Sequence, residues 1–363
     1  MRPVQAVVLR GFGPPGVLLP AEVSRPEPGT GEVRVRVRAV AVGRTKDVAL
    51  RSGRHPFSRA VRLPHIPGTE HAGTVDATGP GVDADLVGRR VAVSAVLPCG
   101  SCPDCRRRRE EACELLELIG VHRPGAYAQY CVAPVENVVP VPGGVSFPQA
   151  AALAANGPVA RAQLDAGAVT AGTSVLVLGA SGALGSAVAA LACFRGAEVI
   201  ATARLRARPA ALADLPARAL LDSDRPDLAQ AVLELTGGRG VDCVIDNLGV
   251  PALWCRYQSA LARTGRVVVS GALDETPVPV AFRPLYLRSQ SIIGVRTGNR
   301  SDIARLWQDV RAGFRLAPGL ISTMPLAEAA AAHRLIESGR HRGQIVLTPP
   351  YRNGRAARRK GSQ

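Results

Sequence analysis

Aromatic residues are scarce, with six Phe, two Trp and five Tyr making up 4% of 363 residues. Lysine is nearly missing: Lys46 and Lys360 are the only two among 45 basic side chains. A surface that stacks bases between aromatic rings and basic groups therefore cannot be built along the chain. The arginines are scattered, apart from clusters at 106–109 and 352–360. The net charge of +16 fits either a polyanionic partner or general arginine usage with a local demand from an anionic cofactor. The scatter favours the second, so no nucleic-acid partner is expected. The first 20 residues carry Arg2 and Arg10 and lack a continuous apolar run, so no secretory leader is expected. The charge-free stretch 174–194 has the length of a membrane span, but Gly179, Gly182 and Gly185 divide it into strand, turn and helix. A cytoplasmic chain with no membrane partner is the expectation.

At 47% hydrophobic and 20% charged, the composition suits a globular chain long enough for two cores. The 38 Gly and 29 Pro predict tight turns rather than long helices. Short β runs are read at 4–9, 32–42, 73–77, 90–96, 126–132 and 137–140. In the second of these, Val33, Val35 and Val37 alternate with Arg34, Arg36 and Arg38, which implies one buried and one wet face. Beyond residue 147 the pattern changes. An Ala-rich helix at 148–160 is followed by strands at 174–179, 198–203, 241–247, 266–270 and 291–295. Helices at 183–195, 227–235 and 252–262 alternate with them. Such alternation calls for a doubly wound parallel sheet, an α/β fold. Two further helices (302–312 and 326–337) and a strand at 344–347 close the chain, with a disordered basic tail at 351–363.

Eight cysteines occur, four of them as Cys99, Cys102, Cys105 and Cys113. Turn-forming residues between the first three let the thiolates converge, and four thiolates suit one closed structural zinc. Cys131, Cys193, Cys243 and Cys255 are isolated and read as buried, unreactive thiols.

Gly179, Gly182 and Gly185 lie between a strand and a helix, the setting of a dinucleotide turn in which small residues admit a pyrophosphate at a helix N-terminus. Gly179, Ser181, Gly182, Ala183, Leu184 and Gly185 are the candidates there. Asn247 and Gly271, after later strands, complete the cofactor set. About 20 residues on, where an acid would hold the ribose of NAD, the chain has Thr202 and Arg204, with Arg206 and Arg208 following. NADP(H) is therefore favoured over NAD.

Residues 42–53, Pro67-Gly-Thr-Glu-His-Ala-Gly73, the four-cysteine lobe, the glycine turn, residues 244–249 and the ending at 343–347 together resemble the medium-chain dehydrogenase/reductase superfamily, over about 1–350. The resemblance implies a GroES-like, mainly β catalytic domain (1–150, with the zinc lobe at 98–114) and a Rossmann domain (151–298). Residues 299–350 return to the first, and the lobe cysteines hold the structural zinc. It also implies a homodimer paired through strand 291–295. In zinc-dependent members, a Cys, a His and a Cys or acid bind a catalytic metal. The matching positions here are Arg44, Thr69 and Asn156, while Glu70 remains. The implication is a cleft without catalytic zinc. A replacement site from His71, Glu70 and Asp47 has no motif spacing behind it.

Without a Lewis acid, a conjugated alkene or quinone is the easier hydride acceptor, because its charge spreads into an enolate or hydroquinone. The expected donors are Arg44, Thr45, Thr69 and Asn156, with Asp47 and Glu70 orienting Arg44. Equally, Arg44 could simply pair with Glu70. Two other readings stay open: an alcohol dehydrogenase or carbonyl reductase of a biosynthetic intermediate, and a non-catalytic dinucleotide-binding protein.

Overall fold

The computed structural model describes residues 3–204, 214–273 and 276–351. The first half comprises Pro3–Leu9 (β1), Leu18–Ser24 (β2), Glu32–Ala41 (β3), His71–Thr78 (β4), Arg90–Val93 (β5), Val96–Leu97 (β6), Pro103–Arg106 (α1), Glu117–Leu118 (β7), Tyr130–Pro134 (β8), Val138–Pro140 (β9) and Phe147–Ala166 (α2). The second half runs Ser174–Val177 (β10), Ala183–Phe194 (α3), Glu198–Ala203 (β11), Ala219–Asp222 (β12), Leu228–Leu235 (α4), Val241–Asp246 (β13), Pro251–Tyr257 (α5), Leu261–Val269 (β14) and Phe282–Leu287 (α6). Ser291–Gly294 (β15), Arg300–Arg311 (α7), Ile321–Pro325 (β16), Ala329–Glu337 (α8) and Gln344–Thr348 (β17) complete it.

The valines of β3 are fully buried, as their alternation predicts. The opposite face is less wet than expected. Arg34 is buried, with its Nε 2.7 Å from Asp76, and Arg36 lies 4.1 Å over the Tyr351 ring. Ion pairing and ring contact cover these guanidiniums. Around β3 a seven-stranded sheet forms in the order β16-β17-β3-β4-β5-β9, with β8 also on β3. The chain's far end thus returns to its beginning through β17, where Val346 pairs with Ala41.

Six parallel strands make the other sheet, in the order β12-β11-β10-β13-β14-β15. The winding reverses between β10 and β13, and the carboxyl ends of strands at such a reversal open a binding crevice. The fold is therefore a doubly wound parallel sheet beside a mainly β sheet. Among the described residues, no helix is long and apolar enough to cross a membrane.

Helix α2 runs to 20 residues and passes through Pro158, against the expectation of short helices and of an end at residue 160. Packing overrides the proline here. Gly157 lies against Leu306, and Gly298 comes so near that a Cβ there would meet the Pro158 oxygen at 2.5 Å. The expected strand at 126–132 begins only at Tyr130. Before it, Gly125, Ala126 and Tyr127 donate their N–H groups to Ile66, Gly68 and Pro67 at 2.7, 2.9 and 2.9 Å. The expected helix at 252–262 stops at Tyr257, because Leu261 enters β14. Strands β2, β12 and β16 and helix α6 have no counterpart in the sequence reading. Arg206, Arg208 and the tail from Arg352 lie outside the described residues.

Gly125 allows two loops to touch beneath the site: a Cβ there would stand 2.2 Å from the Gly68 oxygen. Gly125→Ala is expected to cost about 2–4 kcal/mol, read as a lower denaturation midpoint. An unchanged midpoint would show that the loops can separate without penalty.

Candidate functional site

Strand β3 ends at Ala41, and Val42 donates to the Ile345 oxygen at 2.9 Å, which anchors the start of the site to β17. A wide helical turn, Arg44–Ala49, follows. The Asp47 carboxylate folds back to accept the Gly43 N–H at 2.7 Å and is fully buried. The facing segment enters β4. Gly68 has φ of 98°, and a Cβ there would strike the Tyr127 ring at 2.3 Å, so the chain can pass only as glycine.

Glu70, 4% exposed, meets Lys46 rather than Arg44. The Lys46 ammonium bonds Glu70 Oε1, and the Thr69 hydroxyl donates to Oε2 at 2.6 Å. This corrects the expectation that Glu70 and Asp47 orient Arg44, as well as the alternative Arg44–Glu70 pair. The reason lies in the turn: residues two apart on a helical turn point in opposite directions, so Lys46 and Arg44 cannot share a target. Arg44 donates instead to the Ile336 oxygen at the end of α8. Thr69 is 1% exposed and committed to Glu70, whereas Thr45 stands exposed. Asn156 reaches Gln344 Oε1 at 2.7 Å, and Gln344 donates to the Val42 oxygen at 2.9 Å. Asn156 thus braces the root of the turn. Lys46 was overlooked in the sequence; its rarity among so many arginines was the available signal.

Burial pushes the Asp47 carboxyl up to about 7, and the Glu70 charge adds to this against the Gly43 hydrogen bond. Burial lowers His71 to about 4. Its Nδ1 faces the Thr69 oxygen at 3.0 Å, and its buried Nε2 has no partner. Among the described residues, His71, Glu70 and Asp47 do not bring three ligand atoms together, so the replacement metal site is not formed. Lys46 also lies near His55, which burial, first, and that ammonium hold below its ordinary value.

The four cysteines do converge. Their Sγ atoms lie within 4.8 Å of one another, and Cys99 and Cys105 are 3.9 Å apart. A tetrahedral zinc with Zn–S bonds of about 2.3 Å separates sulfurs by about 3.8 Å, so the set fits that ion. The N–H groups of Cys102 and Cys105 point at the Cys99 and Cys102 sulfurs at 3.3 and 3.4 Å. Leu50, Leu116, Leu118 and Val121 supply the apolar support that the loop lacks. Of the remaining thiols, Cys131 and Cys243 are buried, Cys193 is half-buried, and Cys255, against expectation, is exposed.

At the sheet reversal, Gly179 has φ of 67°, and a Cβ on Gly185 would meet the Gly179 oxygen at 2.3 Å. A Cβ on Gly182 would find only that oxygen, at 3.4 Å, so this residue leaves the mouth open. Helix α3 starts there without a side-chain cap or an acid in its first turn, leaving N–H groups for an anion. Ser181, Gly182, Ala183 and Leu184 are partly accessible, and Leu184 also packs on the core. These features fit the pyrophosphate of a dinucleotide. Asn247 accepts from Gln163 at 2.6 Å and keeps a buried, unpartnered Nδ2; Gly271 packs on its backbone oxygen. Thr202, expected to contact the ribose, is fully buried behind the turn, because its place in β11 points it into the protein. Arg204, the next residue after β11, is exposed at the mouth.

Fold and site together define a dinucleotide-binding oxidoreductase architecture with a four-thiolate lobe. Residues 29–143 match the alcohol dehydrogenase GroES-like domain, and residues 183–312 match the zinc-binding dehydrogenase domain. The chain is 32% identical to L-threonine 3-dehydrogenase of Pyrococcus furiosus over 278 residues, 76% of this chain and 78% of that protein. It is similar to the crystal structure of AibC, with a TM-score of 0.86, 33% identity and 96% of both chains covered. A second solved structure, an NAD-dependent alcohol dehydrogenase, gives a TM-score of 0.85 and 35% identity, with 95% of this chain and 99% of that one covered. The chain belongs to the medium-chain dehydrogenase/reductase superfamily of oxidoreductases.

The Asp47 carboxyl gives a pH signature. Unfolded, it titrates near 3.9, so between that value and about 7 the native state holds the extra proton and stability falls as pH rises. His71 acts oppositely: its contribution fades as pH drops from 6.5 towards about 4. Asp47→Asn is expected to remove the first slope, changing the stability difference from the parent by up to about 1.4 kcal/mol per pH unit. Denaturant unfolding at pH 5, 6 and 7 measures it. A constant difference would mean that Asp47 is ionised throughout.

Proposed function

We propose that the protein is an NADPH-dependent reductase of an activated C=C bond or a quinone, working without catalytic zinc. One observation carries this reading: the Lys46 ammonium bonds Glu70, whose other oxygen accepts the Thr69 hydroxyl, so a fixed cation takes the place of a metal ion beside this carboxylate. When bound, the nicotinamide supplies the hydride. Lys46 is about a quarter exposed, so its ammonium stays within reach of a bound molecule. A fixed cation there offsets the negative charge that spreads onto a carbonyl or quinone oxygen, and its Nζ can hand over a proton. Glu70 holds the ammonium in place, and Asn156 braces the turn that presents it. Arg204, with no acid at the end of β11, supports NADP(H) over NAD(H).

The converging thiols support one structural zinc per chain held by Cys99, Cys102, Cys105 and Cys113. Four reduced thiols suit a cytoplasmic setting. Strand β15 lies at the sheet edge, beside Phe282 and Tyr286 of α6, which are 75% and 66% exposed. An open, apolar edge of this kind supports a homodimer.

The names of the relatives favour a second reading, oxidation of an alcohol or reduction of its ketone with Lys46 polarising the oxygen. Following NADPH absorbance against enones, quinones and ketones decides between them, and turnover of ketones but not enones would select the second. Binding without turnover on any panel would leave a non-catalytic role. Lys46→Met should reduce enone turnover at least 100-fold while leaving NADPH affinity intact; undiminished turnover would remove Lys46 from the mechanism. Metal analysis should return one zinc per chain, lost in Cys99→Ser together with several degrees of thermal stability. Two zincs per chain would overturn the metal-free cleft.

A further inference from the structure

Arg44 occupies a position that carries a metal ligand in zinc-dependent relatives, yet it faces away from the chemistry. Lys46, two residues on, takes the inward direction to Glu70, and Arg44 takes the outward one, donating to the Ile336 oxygen. That oxygen lies in the last turn of α8. A few residues later, Gly343 donates to the Ser181 oxygen at 3.0 Å and pairs with Gly182. The segment holding Arg44 is thus stitched to the glycine turn itself. From the parallel sheet, Arg204 follows the end of β11, where the Thr202 oxygen accepts the Ala180 N–H of the same glycine turn at 2.9 Å.

Among the described residues, neither Arg44 nor Arg204 forms an ion pair, and Glu337, the acid near Arg44, is taken by Arg51. Desolvation, followed by the neighbouring Arg204 charge, lowers the affinity of Arg44 for its own proton. Two like charges on one mouth, with the acid near Arg44 already engaged by Arg51, favour an anion shared between them. A phosphate monoester carries close to two charges at neutral pH and accepts the guanidinium fork in bidentate fashion.

We infer that Arg44 is a cofactor-specificity residue that reaches across the cleft to clamp, with Arg204, the 2′-phosphate of a phosphorylated dinucleotide. The inference rests on the NADPH reading above and refines it. It moves Arg44 from the substrate side to the cofactor side and makes selectivity a property of both halves of the chain. Arg204 stands where the ribose 2′ position falls in such folds, which favours the 2′-phosphate over the pyrophosphate.

Equilibrium binding to the full chain, by calorimetry or nicotinamide fluorescence, tests it without turnover. The probes are NADPH, NADH, 2′,5′-ADP, which has the 2′-phosphate but no pyrophosphate, and ADP-ribose, which has the reverse. Arg44→Ala should weaken NADPH and 2′,5′-ADP at least tenfold and shift NADH and ADP-ribose less than twofold. Arg204→Ala should do the same, and the double variant should lose less than the product of the two. Arg44→Lys, which keeps the charge and the stem, should recover part of the loss. It also serves if the alanine variant folds poorly. Unchanged NADPH affinity in both Arg44 variants overturns the clamp alone. Equal losses for NADPH and NADH overturn the 2′-phosphate assignment. Parent protein that binds no dinucleotide overturns the proposed function and the clamp with it.

Discussion

Helix α2 is rich in small apolar residues, and both sheets bury against it. Ala150, Ala151, Ala152, Leu153, Ala160 and Leu164 are fully buried. They join one continuous core with Ala39, Ala72 and Ala92 of the first sheet and Val175, Val177 and Ile245 of the second. Small alanines allow a sheet to approach on one side and α3 on the other, which explains a 20-residue helix with an internal proline. The helix shows solvent only a narrow strip that includes Arg161 and Asp165. It therefore sets the distance between the halves and carries Asn156 to the root of the Arg44–Ala49 turn. Site geometry follows from this shared wall.

Within that frame, charge compensation decides what each side chain can do. Glu70 is almost fully buried, and a buried carboxylate without a cation is costly. Here Lys46 supplies the positive charge. Once Glu70 is held by Lys46 and Thr69, it is no longer available to Arg44. Asp47 is shut away from water, and Arg44 turns outward to the Ile336 oxygen. The same turn thereby presents two cations, one on each of its sides.

Much of this was legible beforehand. The four-cysteine spacing indicated a thiol cluster because ligands three residues apart in tight turns can hardly avoid converging. The three glycines indicated the phosphate turn because strand, turn and helix adjoin there in sequence. Other features were hidden. Arg34 reads as solvent-facing but is buried by partners at Glu27 and Asp76, brought close only by folding. Thr202 reads as a ribose contact but points inward. The length of α2 is set by Gly298 and Leu306, well over a hundred residues away in sequence.

Local pattern by itself determined the alternation of strands and helices, the thiolate lobe and the glycine turn, because each depends on residues adjacent along the chain. Only the tertiary structure decided which cation meets Glu70 and which carbonyl meets Arg44. Those pairings depend on the rotation of one helical turn relative to two distant segments, β4 and the end of α8, and no spacing in the sequence records that angle.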